Sequence, residues 1–336
     1  MRPAHRVPLE DVRTIVLGMA VLGLPLALTL LTIKAPMHAD GANDSPYGYT
    51  VSLLIFLVPV LAIGFKHITG PAHPANKRGL IGAAAAIAVL GFLLDLFFGY
   101  EFFSFTNPGA TIGVRLPAFD VATFHWMPSY LPIEEFGFYI LGGLFLVTLY
   151  MWFDQRWLFA YTADEYGDRA RAKEKLIELS PSAILLWSLL VVAGFLYKKY
   201  TAEPGTEGFP GYFVFLMTLG LLPTFLCVKG IAEFVNWRAF ACSSLVMILL
   251  SIVWEASLGV PFDWWNYRHE HMIGISVRAW GDLPLEAVLL WIMSAWLSLI
   301  AFEFFRAYAH MNRRPTRALF GHRAGDATHP GAGPAA

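Results

Sequence analysis

The sequence predicts an all-α, polytopic membrane protein of about eight transmembrane helices, built as two parallel four-helix repeats. Three observations carry that expectation. The 336 residues are 57% hydrophobic and only 15% charged, with a mean hydropathy of +0.54, and a chain so apolar cannot cover a water-facing surface with polar groups. Its apolar runs recur at close to the roughly 20 residues that a helix needs to cross a hydrocarbon core. A set of short motifs also occurs twice in the same order.

The N-terminus, 1–13, is basic, and no cleavage site of small residues follows a short apolar core, so no cleaved signal peptide is expected. Candidate spans follow at 14–33, at 49–65 with Pro59 inside, at 79–98 with Asp95 near its end, and at 136–153. In the second half the spans are 180–197, opened by Ser180 as N-cap and Pro181 as first helical residue, then 208–228, 239–258 with Glu255 near its end, and 287–302. The domain reading is a first membrane repeat over 1–153, a charged cytoplasmic connector over 154–178, a second repeat over 179–306, and a Gly/Pro/Arg-rich cytoplasmic tail over 307–336 expected to be disordered.

Basic residues mark one side of the bilayer. Lys66, Lys77 and Arg78 follow the second span, Arg169, Arg171, Lys173 and Lys175 the fourth, Lys229 and Arg238 the sixth, and Arg313, Arg314 and Arg317 the eighth. The positive-inside rule makes that side cytoplasmic and places both termini there. The expected location is a cell membrane, crossed many times. An even number of spans per repeat relates the halves by an axis along the membrane normal.

The repeat is anchored on Leu131-Pro-Ile-Glu-Glu-Phe136, answered by Leu283-Pro-Leu-Glu-Ala287. Each proline is expected in the first turn of an apolar helix, where its missing N–H costs nothing, so Glu134 and Glu286 fall at equivalent places. Upstream, Asp95-Leu-Phe-Phe-Gly99 answers Glu255-Ala-Ser-Leu-Gly259, and Ile112-Gly-Val-Arg115 answers Ile273-Gly-Ile-Ser-Val-Arg278. The same order twice points to internal duplication. Glu134, matching Glu286, is expected to face the interface between the halves, with Glu135 beside it, about 100° round the helix, supporting it or binding Arg115 or Arg278. Asp95 and Glu255 are the next candidates for moving a proton, since acids inside a membrane are costly and functional by default. Pairing with the two arginines is the structural alternative, and it stays open.

Aromatics flank these acids: Tyr100, Phe103 and Phe105 in one repeat, and Phe262, Trp264 and Trp265 in the other. Their faces could shield a cation, or they could form an interfacial belt; the Asp263-Trp-Trp265 cluster favours a cavity. His125, His269 and His271 lack the spacing of a metal site, so no metal is expected. Cys227 and Cys242 read as packing residues. A net charge of -1 argues against a nucleic-acid partner, and with no dinucleotide fingerprint no cofactor is expected.

Taken together, these motifs resemble the membrane-integral lycopene cyclases of the two-subunit or fused type, over roughly residues 50–153 and 205–306. The resemblance implies a redox-neutral isomerase that closes rings at the ends of a linear carotenoid such as lycopene, with Pro-x-Glu-Glu carboxylates essential. It implies membrane lipid as surroundings and leaves room for other enzymes of a carotenoid pathway as partners. Two features depart from that pattern: Ala287 replaces the second acid of the later motif, and an extra helix precedes the usual three in each half. Glu134, Glu286, Glu135, Asp95 and Glu255 are thus the expected catalytic residues, and Tyr100, Phe103, Phe105, Phe262, Trp264, Trp265, Arg115 and Arg278 the expected substrate-binding ones. The chemistry needs an acid to protonate a terminal alkene, attack on the tertiary cation by a neighbouring double bond, and a base to remove a ring proton. A hydratase, in which water captures the same cation, and a non-catalytic carrier of polyene lipids are the alternatives.

Overall fold

The structure is a computed structural model that describes residues 46–69, 74–202, 206–277 and 280–321. The candidate span at 14–33 lies outside them, as does Arg278. Among the described residues, six helices are long and apolar enough to cross a membrane. They are α3 (Pro74–Phe102), α4 (Ile133–Arg156), α6 (Pro181–Thr201), α7 (Gly211–Ile231), α8 (Trp237–Gly259) and α9 (Leu285–Met311). Ahead of them α1 (Gly48–Ser52) and α2 (Leu54–Thr69) make a shorter apolar stretch.

Local chemistry sets the helix ends. Ser180 caps α6 by accepting the N–H of Ala183, with Pro181 at the first helical position as expected. Asn236 caps α8 through the N–H of Ala239. Two helices contain π-turns, which widen the helix by one residue. The turn in α7, Leu216–Leu221, precedes Pro223, which has no N–H to give and whose ring displaces the carbonyl four residues back. The turn in α8 is Glu255–Gly259 and carries one of the expected acids.

The core is formed where α9 packs along α3 and α4, with α8 and α7 closing the sides. Close approach of α3 to α4 needs a residue without a side chain at Gly91, where a Cβ would lie 2.5 Å from Cγ of Tyr139. By contrast, α6 leaves most of its apolar side chains exposed, Leu185, Leu189 and Val192 among them, a surface suited to lipid.

The all-α expectation holds for the helices, but among the described residues the aromatic loops contain three two-stranded antiparallel ladders. One pairs β2 (Arg115–Asp120) with β3 (His125–Pro132), and another pairs β5 (Ser276–Val277) with β6 (Leu283–Pro284). The third joins the two loops, β1 (Phe103–Ser104) to β4 (Asn266–Tyr267), with Phe103 opposite Tyr267. Pro132 and Pro284 therefore end strands and precede their helices; they are not inside the first turn as expected. The first helical N–H of α4, that of Ile133, goes to the carbonyl of Val114 at 3.0 Å, and that of α9, Leu285, to the carbonyl of Ile275 at 2.8 Å.

At the opposite end of the bundle the connector contains a helix, α5 (Ala163–Ala172), held by a reciprocal cap between Thr162 and Glu165. The segment expected to be disordered from 307 continues α9 to Met311 and then forms α10 (Pro315–Phe320). This part is ordered by the connector: the N–H groups of Leu176 and Ile177 donate to the carbonyls of Ala318 and Leu319, and Arg313 donates to the carbonyls of Arg171 and Lys173. Glu303, fully buried on α9, accepts from Tyr150 at 2.7 Å, Tyr166 at 2.6 Å and Arg306 at 3.1 Å, tying α4, α5 and α9 together.

Candidate active site

The strand-to-helix junctions place the motif acids. Glu134, in the first turn of α4, accepts from the Ile112 N–H at 2.8 Å and from the Thr50 hydroxyl at 2.6 Å. Glu286, in the first turn of α9, accepts from the Ile273 N–H. Each acid thus fastens the Ile-Gly segment that its hairpin shares. In both segments the glycine after the isoleucine has positive φ, +83° at Gly113 and +94° at Gly274, which L side chains rarely adopt. Glu134 and Glu286, expected to face the interface between the halves, both hold loops of their own half through these bonds.

The adjacent acid turns elsewhere, as 100° of helix rotation requires. Glu135 accepts from the Tyr49 hydroxyl at 2.6 Å and, with Glu255, lines a small cavity among Tyr49, Phe103, Phe138, Tyr139, Trp254, Trp265, Tyr267 and Leu290. The π-turn presents Glu255 to this space. Its carboxylate accepts from Trp265 Nε1 at 2.9 Å, the Tyr267 hydroxyl at 3.0 Å and Trp291 Nε1 at 3.3 Å. Asp95 sits one layer behind, fully buried, accepting from Tyr139 at 3.3 Å. Tyr139 lies five residues after Glu134 and Trp291 five after Glu286, so each half places an aromatic donor on its own loop-end acid.

Among the described residues the hydrogen bonds to Glu135, Glu255 and Asp95 all come from neutral donors. Of the two arginines that the structural alternative would pair with them, Arg278 lies outside the described residues. Arg115 donates to the Tyr130 carbonyl at 3.3 Å. The ladders also align Arg115 with Ser276, since these two stand opposite Pro132 and Pro284; the match of Arg115 to Arg278 is displaced by two residues.

The expected aromatic residues divide. Phe103 and Trp265 line the acid cavity. Trp264 is buried and stacks on Tyr49 at 6.2 Å, with Phe262 stacked on Trp264 at 5.9 Å. Tyr100 and Phe105 instead pack on Tyr130, and Tyr100 also lies under the Arg268 guanidinium at 4.6 Å. Tyr49, Phe138, Trp254 and Trp291 escaped the sequence reading. Trp254 precedes Glu255 directly, and Trp291 was legible from its fixed distance to the Pro-x-Glu motif. Tyr49 had no comparable signal.

The acid cavity adjoins a larger apolar one, with Phe138, Tyr139 and Leu290 common to both. The larger cavity lies between α3, α4, α7, α8 and α9, with Ile87, Leu94, Phe215, Met247, Met293 and Ser298 in its lining. Among the described residues no group of three His, Cys, Asp or Glu side chains is placed to hold a metal ion. No protein-family model, curated protein or solved structure matches the chain.

Proposed function

We propose that the chain is a cofactor-independent carotenoid cyclase that closes rings at the ends of a linear polyene, the activity implied by its resemblance to membrane-integral lycopene cyclases. The observation that carries the reading is the pair Glu135 and Glu255, facing one aromatic-walled cavity that continues into an apolar slot. Cyclisation needs one carboxyl to give a proton and another to take one. Both must lie within reach of the same chain end, in a site from which water is excluded.

In this mechanism the terminal trisubstituted alkene enters the small cavity and takes a proton from one of the two acids. The tertiary cation is attacked by the neighbouring double bond, which forms the ring carbon–carbon bond and moves the positive charge into the ring. The other carboxylate then removes a ring proton. One proton enters and one leaves, so the product is an isomer of the substrate. The rings of Trp254, Trp265 and Phe138 present electron-rich faces to the transient cation. Hydrogen bonds from Tyr49 to Glu135, and from Trp265 and Tyr267 to Glu255, orient the acids.

The proposal includes the architecture read from sequence: eight spans in two parallel repeats, both termini cytoplasmic, the acids near the outer leaflet. The matched contacts at the two motifs support a duplication, because Ile133 and Leu285 are bonded alike and Glu134 and Glu286 accept from equivalent isoleucines. Sequence identity at the motifs need not mean equal roles. In this reading Glu135 acts in the first half, where the second half has Ala287, and Glu255 acts in the second.

Expression of the chain in a lycopene-accumulating host tests the proposal. Pigments extracted and separated by chromatography are expected to include one-ring or two-ring products. Unchanged lycopene with the protein present in the membrane would contradict the cyclase and leave the carrier reading.

A further inference from the structure

The larger cavity has a polar group in its lining that neither the acid chemistry nor the fold uses. Ser298 on α9 is 1% exposed, its hydroxyl has no hydrogen-bond partner, and it lines the cavity. Four other buried hydroxyls in this bundle bond back to the carbonyl four residues earlier: Thr148 to Leu144, Thr224 to Gly220, Ser243 to Ala239 and Ser251 to Met247, at 2.7–3.0 Å. That bond is the ordinary way for a helix to satisfy a serine away from water. A buried hydroxyl without it carries the full cost of desolvation until something pairs with it. Ser244 Oγ and the Tyr212 hydroxyl are also buried without a partner, but neither residue lines the cavity.

The position of Ser298 measures the ligand. Leu290 belongs to both cavities and Ser298 lies eight residues further along α9, a rise of about 12 Å. An extended chain covers roughly 1.2 Å per bond, so the interval holds roughly ten bonds, the length of two to three isoprene units. Apart from Ser294, the side chains between are apolar, with Leu94, Phe215, Met247 and Met293 on the walls.

We infer that Ser298 is a hydroxyl subsite on the wall of the slot, and that the cavity also takes an isoprenoid alcohol with about three units between its ends, oxygen on Ser298 and alkene end toward Glu135 and Glu255. The inference rests on the proposed reading of the cavity as a substrate slot, but not on turnover.

The test uses the full chain in detergent micelles, with binding of farnesol and of farnesene, the related hydrocarbon, read from thermal stabilisation at matched mole fraction in the micelle. The parent protein is expected to bind farnesol roughly five- to tenfold more tightly than farnesene, the worth of one hydrogen bond. Ser298→Ala should remove that preference, leave farnesene binding unchanged, and melt no lower than the parent without ligand, because it deletes an unpaired group. Equal binding of the two ligands by the parent overturns the inference. So does a preference that survives in Ser298→Ala, or a melting point that falls in that variant, which would mean that the hydroxyl already has a partner. Ring formation from lycopene is a separate measurement, so a failed cyclase assay leaves this result standing and a failed binding preference leaves the cyclase proposal standing.

Discussion

Glu135 on α4 and Glu255 in the π-turn of α8 line one cavity, although 120 positions separate them and only Glu135 belongs to a Pro-x-Glu motif. The pairing follows from backbone geometry. One is turned away from its neighbour Glu134 by the helix rotation, and the other is carried by a widened turn where the matching segment at Asp95 is regular helix.

The loop-fastening role of Glu134 predicts a contrast between two substitutions. Glu134→Gln keeps a carbonyl oxygen that accepts from Ile112 and Thr50, so product formation should fall by less than about tenfold. Glu134→Ala leaves both donors without their acceptor, a loss of about 1–3 kcal/mol in local stability. Hydrogen exchange at the Ile112 amide should speed up in the alanine variant only; equal exchange in both would refute the fastening role.

Much of this arrangement was legible in the sequence. The apolar runs gave the helices because hydrocarbon admits few other structures, and the repeated motifs located the acids that bound the site. The hairpins were not legible: Leu131-Pro132 and Leu283-Pro284 are too short and too close to helices to read as strands, and their pairing depends on loops that meet only after folding. Nor did the sequence reveal which of two adjacent acids faces inward, since that depends on where the hairpin sets the start of α4. Tyr49 reaches Glu135 across 86 positions, a tertiary contact with no local trace.

Gly259 should tolerate no side chain. A Cβ there would run into the Trp265 ring, whose indole N–H donates to Glu255. Gly259→Ala is expected to cost about 1–3 kcal/mol through overpacking and to reduce turnover by more than its effect on protein level. A variant with normal melting and full product yield would show that Trp265 does not position Glu255.

At the other end of the bundle Glu303 is the acceptor for two tyrosines and Arg306, and the Arg306 guanidinium also lies over the Tyr166 ring at 3.9 Å. Glu303→Ala leaves the largely buried arginine without its nearest acid and should destabilise the protein by about 3 kcal/mol. The melting temperature in detergent should fall by several degrees. An unchanged melting curve would mean that the α5 contact contributes nothing.

The connector gives a pH dependence with a definite sign. Burial tends to lift the Glu178 carboxyl, but hydrogen bonds and charge from Lys229 and Lys173 outweigh it and hold its pKa below the ordinary carboxylate value. Its contribution, at most about 1 kcal/mol for so accessible a pair, is full above the unfolded carboxylate pKa of about 4.3. It is lost as pH falls through the lower folded value. Burial lowers Lys173, but Glu233 and Glu178 raise it further, so its net pKa lies above the ordinary lysine value. Its contribution is full below about pH 10.4 and disappears as pH rises through the folded value. Amide protection at Leu176 and Ile177, corrected for intrinsic exchange rate, should therefore be level from pH 6 to 9 and drop near pH 3. Equal protection at pH 3 and pH 6 would remove Glu178 from the account.

The most direct test of the central claim is the yield of cyclised pigment per unit of membrane protein for the parent, Glu135→Gln and Glu255→Gln in a lycopene-accumulating host. If these two carboxyls are the acid and base, each substitution should lower ring formation by at least about 10²-fold, with the amount of protein in the membrane unchanged. Ring products at parental yield in either variant, or none from the parent itself, would contradict the account.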